Sequence, residues 1–372
     1  MRLNNVVIDM LPLSLLLFFV YGAKLVKPLY SLNTEGYLSV DTSKYYRGLF
    51  ASVILFHHLA QRTETGITFR CFSMVGFLAV AFFFFLSGYG LQKSYITKSD
   101  SYKKGFILKR IPSVLIPYII ITAFYWLMYL VGGQFYSLKD IIFAVIDGRP
   151  IVSYSWYIIC ILVFYVVYWL LMLICRKNYF LMILGGTVWY FLYAIFCIKM
   201  DYGDWWYNTS QLLIIGMFWA TYERKIIGII KKAYVVIAPV IWIVFIILFL
   251  FRSKIAALIN IPYISTIIKL FTAIFFVLSV IMFSFKIQIG NKVLGFLGEI
   301  SLEIYISQGL FIQTLRSSYI YIENELLWCI AVLVGTIIFS YVLHIAFQFI
   351  LKKYKLMLCK LKINLPYQHF TI

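Results

Sequence analysis

Between Lys231-Lys232 and Arg252 the chain reads AYVVIAPVIWIVFIILFLF, residues 233–251, without one charged side chain. An α-helix rises 1.5 Å per residue, so about 20 mostly apolar residues cross the hydrocarbon of a bilayer. This run, with cations at both ends, reads as a spanning helix. Working outward, comparable runs lie at roughly 6–23, 46–61, 71–92, 111–131, 153–175, 179–198, 209–222, 263–285, 294–315 and 326–351. The runs at 46–61 and 209–222 are short and carry polar residues, which a helix buried in a bundle tolerates better than one facing lipid. Residues 137–146 are short and amphipathic, as expected of an interfacial helix.

Composition supports the same class. The chain has 372 residues, of which 63% are hydrophobic and 13% charged, and its mean hydropathy is +0.92. Soluble domains carry about 25% charged residues, so a water-surrounded globule is excluded. The runs lack the alternation of a membrane barrel. The expected fold is an all-α integral membrane protein of about eleven transmembrane helices. The net charge of +19 sits between apolar runs, a topology signal rather than a nucleic-acid footprint. With the C-terminus cytoplasmic, the inside segments hold 22 Lys and Arg and the outside segments nine. That split places the N-terminus outside and the C-terminus inside. The expected organisation is an N-terminal helix and linker over 1–43, a membrane domain over 44–351 and a basic cytoplasmic tail over 352–372, with no internal repeat. Residues 1–23 read as a retained span rather than a cleaved signal, because Asp9 precedes the apolar core and no small-residue cleavage site follows. The six cysteines have no metal-ligand spacing and read as small core residues; no metal is expected.

Ionisable residues inside spans are costly and mark function by default. Residues 47–58 read RGLFASVILFHH. Eleven positions at about 100° each return His58 to within about 20° of the Arg47 face, about 16 Å along the axis. His57 points about 80° away. One polar stripe would run from a cytoplasmic anion-binding group to a deep imidazole; equally, Arg47 could be an interfacial anchor and both histidines packed polar groups. Residues 82–90 place Ser87, Gly88 and Gly90 at a helix end, where small residues allow close backbone approach. Lys103, Lys104, Lys109 and Arg110 then form a basic loop able to meet phosphates. Glu299 and Glu303 lie one turn apart on one face. Ser301, Tyr305 and Gln308 share another and could line a sugar path, as could Ser87. His344 reads as core packing. Trp156, Trp205 and Trp206 read as interface-belt residues, with sugar stacking the alternative.

A resemblance joins these segments. Arg47 to His58 resembles the Arg-x10-His motif of the membrane acyltransferase 3 family, and FFLSGY at 84–89 resembles its FFxLSGF segment. Lys109-Arg110-Ile111 with Pro117-Tyr118 is similar to its basic-then-proline start of the next helix. Ser155-Trp156-Tyr157 resembles the WFL helix start. Trp206-Tyr207-Asn208-Thr209 with Gly216-Met217 resembles a WYNT…GM variant of bacterial surface-polysaccharide members. GEISLEIY at 298–305 resembles the late GxxSxxxYL motif. The matches fall in family order from about 44 to 320, and their joint order is what identifies the family. Two departures stand out. Gln308 occupies a position where many members have His, and Ser113 follows Arg110 where the family often has RxxR.

The resemblance implies transfer of an acyl group, usually acetyl, from cytoplasmic acetyl-CoA to a hydroxyl of an extracytoplasmic or lipid-linked glycan, with the WYNT variant pointing to capsule or exopolysaccharide, in a bacterial plasma membrane. His58 is the expected general base or acetyl carrier, with Arg47 and Glu303 beside it in the chemistry. Lys109, Arg110 and Arg47 are expected at the donor phosphates. Ser87, Tyr305, Gln308 and Trp156 are expected at the acceptor. Membrane lipid is the expected surrounding partner, and no nucleic acid. Two other classes compete. A polysaccharide polymerase typically has a long outer loop, whereas the longest here is 132–152. A transporter or flippase without acyl chemistry would show matched halves, which the hydropathy lacks.

Overall fold

The computed structural model describes residues 2–27, 31–64 and 66–360; the end of the basic tail, with His369, lies outside the described residues. In chain order the elements are α1 (Arg2–Val20), β1 (Lys24–Leu25), α2 (Val40–Ala60), α3 (Ile67–Arg70), which runs into a 3-10 turn (Cys71–Met74), α4 (Gly76–Lys98), α5 (Asp100–Lys103), α6 (Phe106–Val131), α7 (Leu138–Ile146), α8 (Trp156–Ile174) and α9 (Tyr179–Lys199). After a 3-10 turn (Asp204–Trp206) come α10 (Leu212–Ile259), α11 (Ile264–Lys286), β2 (Ile287–Gln288), α12 (Lys292–Glu299), α13 (Ser301–Thr314) and α14 (Glu325–Lys360). About 79% of the described residues are helical, against about a third in soluble proteins. Among the described residues the fold is all-α apart from a two-residue antiparallel pairing, Lys24 with Gln288 and Leu25 with Ile287, and an isolated antiparallel bridge between Arg316 and Tyr321.

Among the described residues seven helices are long and apolar enough to cross a membrane: α4, α6, α8, α9, α10, α11 and α14. All of these except α4, which is mostly buried, expose large apolar side chains, as on α10 where Val235 is 84% and Leu258 86% exposed, the surface expected of a lipid-facing helix. Helix α2 has the length but is diluted by Asp41, Lys44, Arg47, His57 and His58. Two expectations about helix boundaries are corrected. Residues 223–232, expected as a loop between the runs 209–222 and 231–251, are helical, and within α10 two helical segments meet at a kink at Ala233 (φ −134°, ψ 24°), immediately after Lys231-Lys232. The run 294–315 is two helices, α12 and α13, separated at Ile300 (φ −98°, ψ 16°).

The chain forms two compact units. The first comprises Met1–Lys93, Tyr193–Ile198 and Gly203–Ser301. Its helices meet backbone to backbone at glycines. A Cβ added to Gly48 on α2 would lie 2.7 Å from the Gly298 nitrogen, and one added to Gly298 on α12 would lie 2.8 Å from the Lys44 carbonyl carbon. Gly88 on α4 and Gly216 on α10 repeat the arrangement: their added Cβ atoms would fall 2.7 Å from the Leu213 carbonyl carbon and 2.6 Å from the Tyr89 nitrogen. Only glycine permits such approaches. Gly88 does this from the middle of α4, not from a helix end as its sequence context suggests, and Gly90 faces open space. Asp9, the acidic residue of α1, accepts from Thr68 Oγ1 (2.7 Å) and from the Ile67 and Phe69 amides (3.1 and 3.0 Å), which ties α3 to α1.

The second unit comprises Ser94–Leu192, Lys199–Tyr202 and Leu302–Ile372. Here α6 packs on α8 and on α14. Helices α13 and α14 are joined by a polar ladder, Glu303 to His344 and Ser307 to Ser340. Residues 151–155 fold against α13: Gln313 Nε2 donates to Ser153 Oγ at 2.5 Å and Tyr305 Oη to the Tyr154 carbonyl at 2.5 Å.

Candidate functional site

Helix α2 carries the Arg47–His58 stripe. It begins where Ser39 accepts the Thr42 amide at 3.2 Å, with Asp41 in the first turn; both suit the positive end of a helix. Arg47 and His58 are half-buried, and the unbroken helix between them realises the expected spacing of about 16 Å. His57 and His58 lie side by side with ring centroids 4.8 Å apart. Each is held by its Nδ1. The His57 Nδ1 lies 3.0 Å from the Phe72 carbonyl oxygen and the His58 Nδ1 3.2 Å from the Gln61 amide oxygen. Oxygens of those kinds only accept, so Nδ1 carries the proton in both neutral rings and Nε2 carries the lone pair. Gly76 gives the His57 ring its place, because any Cβ there would occupy the ring's volume. Gln61, the C-cap residue of α2, is therefore a partner of His58 that spacing did not point to. Ser87 is half-buried on α4.

A second polar centre in this unit escaped the sequence reading altogether. Glu223 on α10 is buried, 9% exposed. Its Oε1 accepts from Tyr37 Oη at 2.5 Å and Tyr89 Oη at 2.7 Å, and its Oε2 pairs with Lys93 Nζ. The Tyr37 hydroxyl accepts in turn from Trp219 Nε1 at 2.8 Å. Glu223 was hidden among loop charges, and its partners come from two separate segments, Tyr37 ahead of α2 and Tyr89 with Lys93 on α4. Trp206 is also corrected: the 3-10 turn directs it inward, at 2% exposure, while Trp205 stays exposed. Glu299 pairs with Lys44 at 3.2 Å.

In the second unit, Lys109 and Arg110, expected in a basic loop, lie within the first two turns of α6, after Gly105 in the left-handed region (φ 76°). Both are half-buried, and Arg110 Nη2 donates to Tyr102 Oη at 3.4 Å. Ser113, at the position of the family's second arginine, donates to the Arg110 carbonyl at 2.8 Å. Trp156 is half-buried at the start of α8. Tyr305 is buried, its ring against Tyr157 at 5.3 Å. Gln308 is fully buried and donates to the Tyr305 carbonyl at 3.0 Å. Glu303 is 3% exposed, and its Oε1 lies 2.8 Å from His344 Nδ1. His344 is therefore not passive packing, and the imidazole that Glu303 orients in this unit is His344. The break at Ile300 removes the common face inferred for Glu299 and Glu303.

The two half-buried cations of α6 suit phosphate oxygens, and an imidazole with a fixed tautomer suits proton abstraction. A family model described as an acyltransferase domain matches residues 41–345. No curated protein and no solved structure matches the chain. The matched span runs from the first turn of α2 through His344, enclosing the histidine pair and both glycine contacts, and the chain belongs to the membrane acyltransferase 3 family.

Proposed function

We propose that this acyltransferase moves an acetyl group from cytoplasmic acetyl-CoA to a hydroxyl of an extracytoplasmic or lipid-linked glycan of a bacterial plasma membrane, with the N-terminus outside and the C-terminus inside. The observation that carries the reading is the α2 stripe: Arg47 and His58 on one face, with the His58 Nδ1 bonded to Gln61. His58 Nε2 removes the acceptor's hydroxyl proton as that oxygen attacks the thioester carbonyl. The carbon–sulfur bond breaks, and the proton passes from His58 to the departing thiolate, so the products are a glycan O-acetyl ester and the free thiol. Lys109 and Arg110 are assigned to the donor's phosphates, with Arg47 as a further cation. Ser87, Trp156, Tyr305 and Gln308 are assigned to acceptor contacts, and Glu303 acts by holding His344.

The test is transfer of labelled acetyl from acetyl-CoA to surface glycan in membranes carrying the wild type or His58→Ala at equal protein level. Label in the wild type and none in the variant supports the reading. Transfer surviving in His58→Ala moves the chemistry off His58, and absence of transfer to any glycan favours a transporter.

A further inference from the structure

Residues 206–210, WYNTS, lead from the 3-10 turn into α10 and are buried throughout, Asn208 at 3% exposure and Thr209 and Ser210 at 0%. Their local bonds are regular. The Asn208 amide donates to the Asp204 carbonyl at 2.9 Å, and the Thr209 and Ser210 carbonyls accept from Leu212 and Leu213 at 3.0 and 3.1 Å. Ser210 Oγ donates to the Tyr207 carbonyl at 3.3 Å. Two side-chain atoms stand outside this pattern. Asn208 Oδ1 and Thr209 Oγ1 are enclosed and meet no hydrogen-bond partner among the described residues.

Such atoms are uncommon and costly, and each calls for an explanation. Helix capping, the usual reason for Asn and Thr before a helix, does not supply one: the N-cap of α10 is Gln211, and no side chain caps it. Packing does not either, since valine would fill the volume of Thr209 without a stranded hydroxyl. The segment is also held firmly. The Gly88 and Gly216 contacts fix the first turns of α10, and Lys269 Nζ grips Asp204 Oδ2 at 2.5 Å. The atoms are thus presented in place.

Their chemistry selects the ligand class. Asn208 Oδ1 only accepts, whereas a hydroxyl both accepts and donates. An anionic oxygen has no proton to offer Oδ1, and WYNTS carries no charge to meet one. A neutral sugar hydroxyl can donate to an amide oxygen and can pair with a second hydroxyl as donor or acceptor. We propose that Asn208 and Thr209 form a subsite for a hydroxyl of the glycan acceptor, an assignment that rests on the acyltransferase reading above.

The experiment uses full-length protein in detergent, with acetyl-CoA as donor and, as acceptor, the producing bacterium's surface glycan stripped of esters by mild alkali. Thr209→Val and Asn208→Leu are compared with Thr209→Ser for the acceptor's KM and kcat, for binding of the same glycan by titration calorimetry, and for the thermal midpoint of the ligand-free protein. The expected result is an acceptor KM raised at least tenfold in Thr209→Val and Asn208→Leu, kcat within twofold, wild-type behaviour in Thr209→Ser, and a Thr209→Val midpoint equal to or above wild type. An acceptor KM within twofold of wild type overturns the subsite; a lowered midpoint beside it would assign the two atoms to a buried water only. If the wild type binds the glycan but transfers nothing, the acyl reading fails, and loss of binding in Thr209→Val would still uphold the subsite.

Discussion

Replacing Glu223 by glutamine should destabilise the protein by about 2–3 kcal/mol, and by alanine about 3–5 kcal/mol. The carboxylate accepts two tyrosine hydroxyls at 2.5 and 2.7 Å in a buried setting. A hydrogen bond to a charged acceptor contributes about 1.5–3 kcal/mol and a neutral one about 0.5–1.5, so loss of charge at unchanged shape costs about 1 kcal/mol per tyrosine. Lys93 adds little, because its side chain is 49% exposed and turns to solvent when unpaired; its share is discounted to about 0–1 kcal/mol. Alanine also strands the Tyr37 and Tyr89 hydroxyls, 2% and 9% exposed. The assay is denaturant unfolding in detergent of the wild type, Glu223→Gln, Tyr89→Phe and the double variant. A double-mutant cycle should return a coupling of about 0.5–3 kcal/mol, with a smaller one for Lys93→Met. Tyr37 lies just ahead of the Ser39 cap of α2, so hydrogen exchange at the start of α2 should rise in Glu223→Ala. A Glu223→Gln variant within about 0.5 kcal/mol of wild type, with no coupling to Tyr89 beyond additivity, would refute the reasoning.

Three further outcomes follow from the packing. Gly88→Ala should cost about 1–3 kcal/mol by overpacking against Leu213, while Gly90→Ala, which faces open space, should be neutral or stabilise α4 by about 0.5–1 kcal/mol; thermal midpoints of the two variants decide this. Glu303→Leu and His344→Leu should each be destabilising and strongly non-additive, because each removes one side of the 2.8 Å contact between α13 and α14; additive effects in the double variant would sink the pairing. Hydrogen bonds from the Ser137 side chain and amide hold the Asp140 carboxyl below its usual range of about 3.8. A lowered folded value means that the capping contribution to α7 is present above the unfolded value and lost as pH falls through the folded one. Protection factors of the α7 amides, taken against the intrinsic exchange rate at each pH, should therefore fall below about pH 4, and Asp140→Asn should abolish that dependence.

The sequence exposed what depends on one helix at a time. Uninterrupted runs such as 153–175 and 263–285 lie close to α8 and α11, because twenty apolar residues in lipid have no other way to satisfy their backbone. Helix ends were less legible where charge stood in for a turn. Lys231-Lys232 suggested a loop, but the backbone satisfies its own hydrogen bonds by bending at Ala233 and continuing. Conversely, no proline, glycine pair or run of charge marks Ile300, where the chain breaks after Gly298 meets Lys44.

Partner choice across helices was the part that periodicity could not carry. A period of 3.6 puts Arg47 and His58 on one face, yet says nothing of what stands opposite. The bonds of Glu303 to His344 and of Tyr37 to Glu223 span 41 and 186 residues. The glycine contacts explain why the short motifs were informative only together. Gly48 meets Gly298 and Gly88 meets Leu213 beside Gly216, so the Arg-x10-His segment and the GEIS segment are two halves of one contact, as are LSGY and the start of α10. A single half is merely a small residue in an apolar run. Both halves, in order and at these separations, specify a helix pairing, and that pairing fixes α2, with His58, against α12.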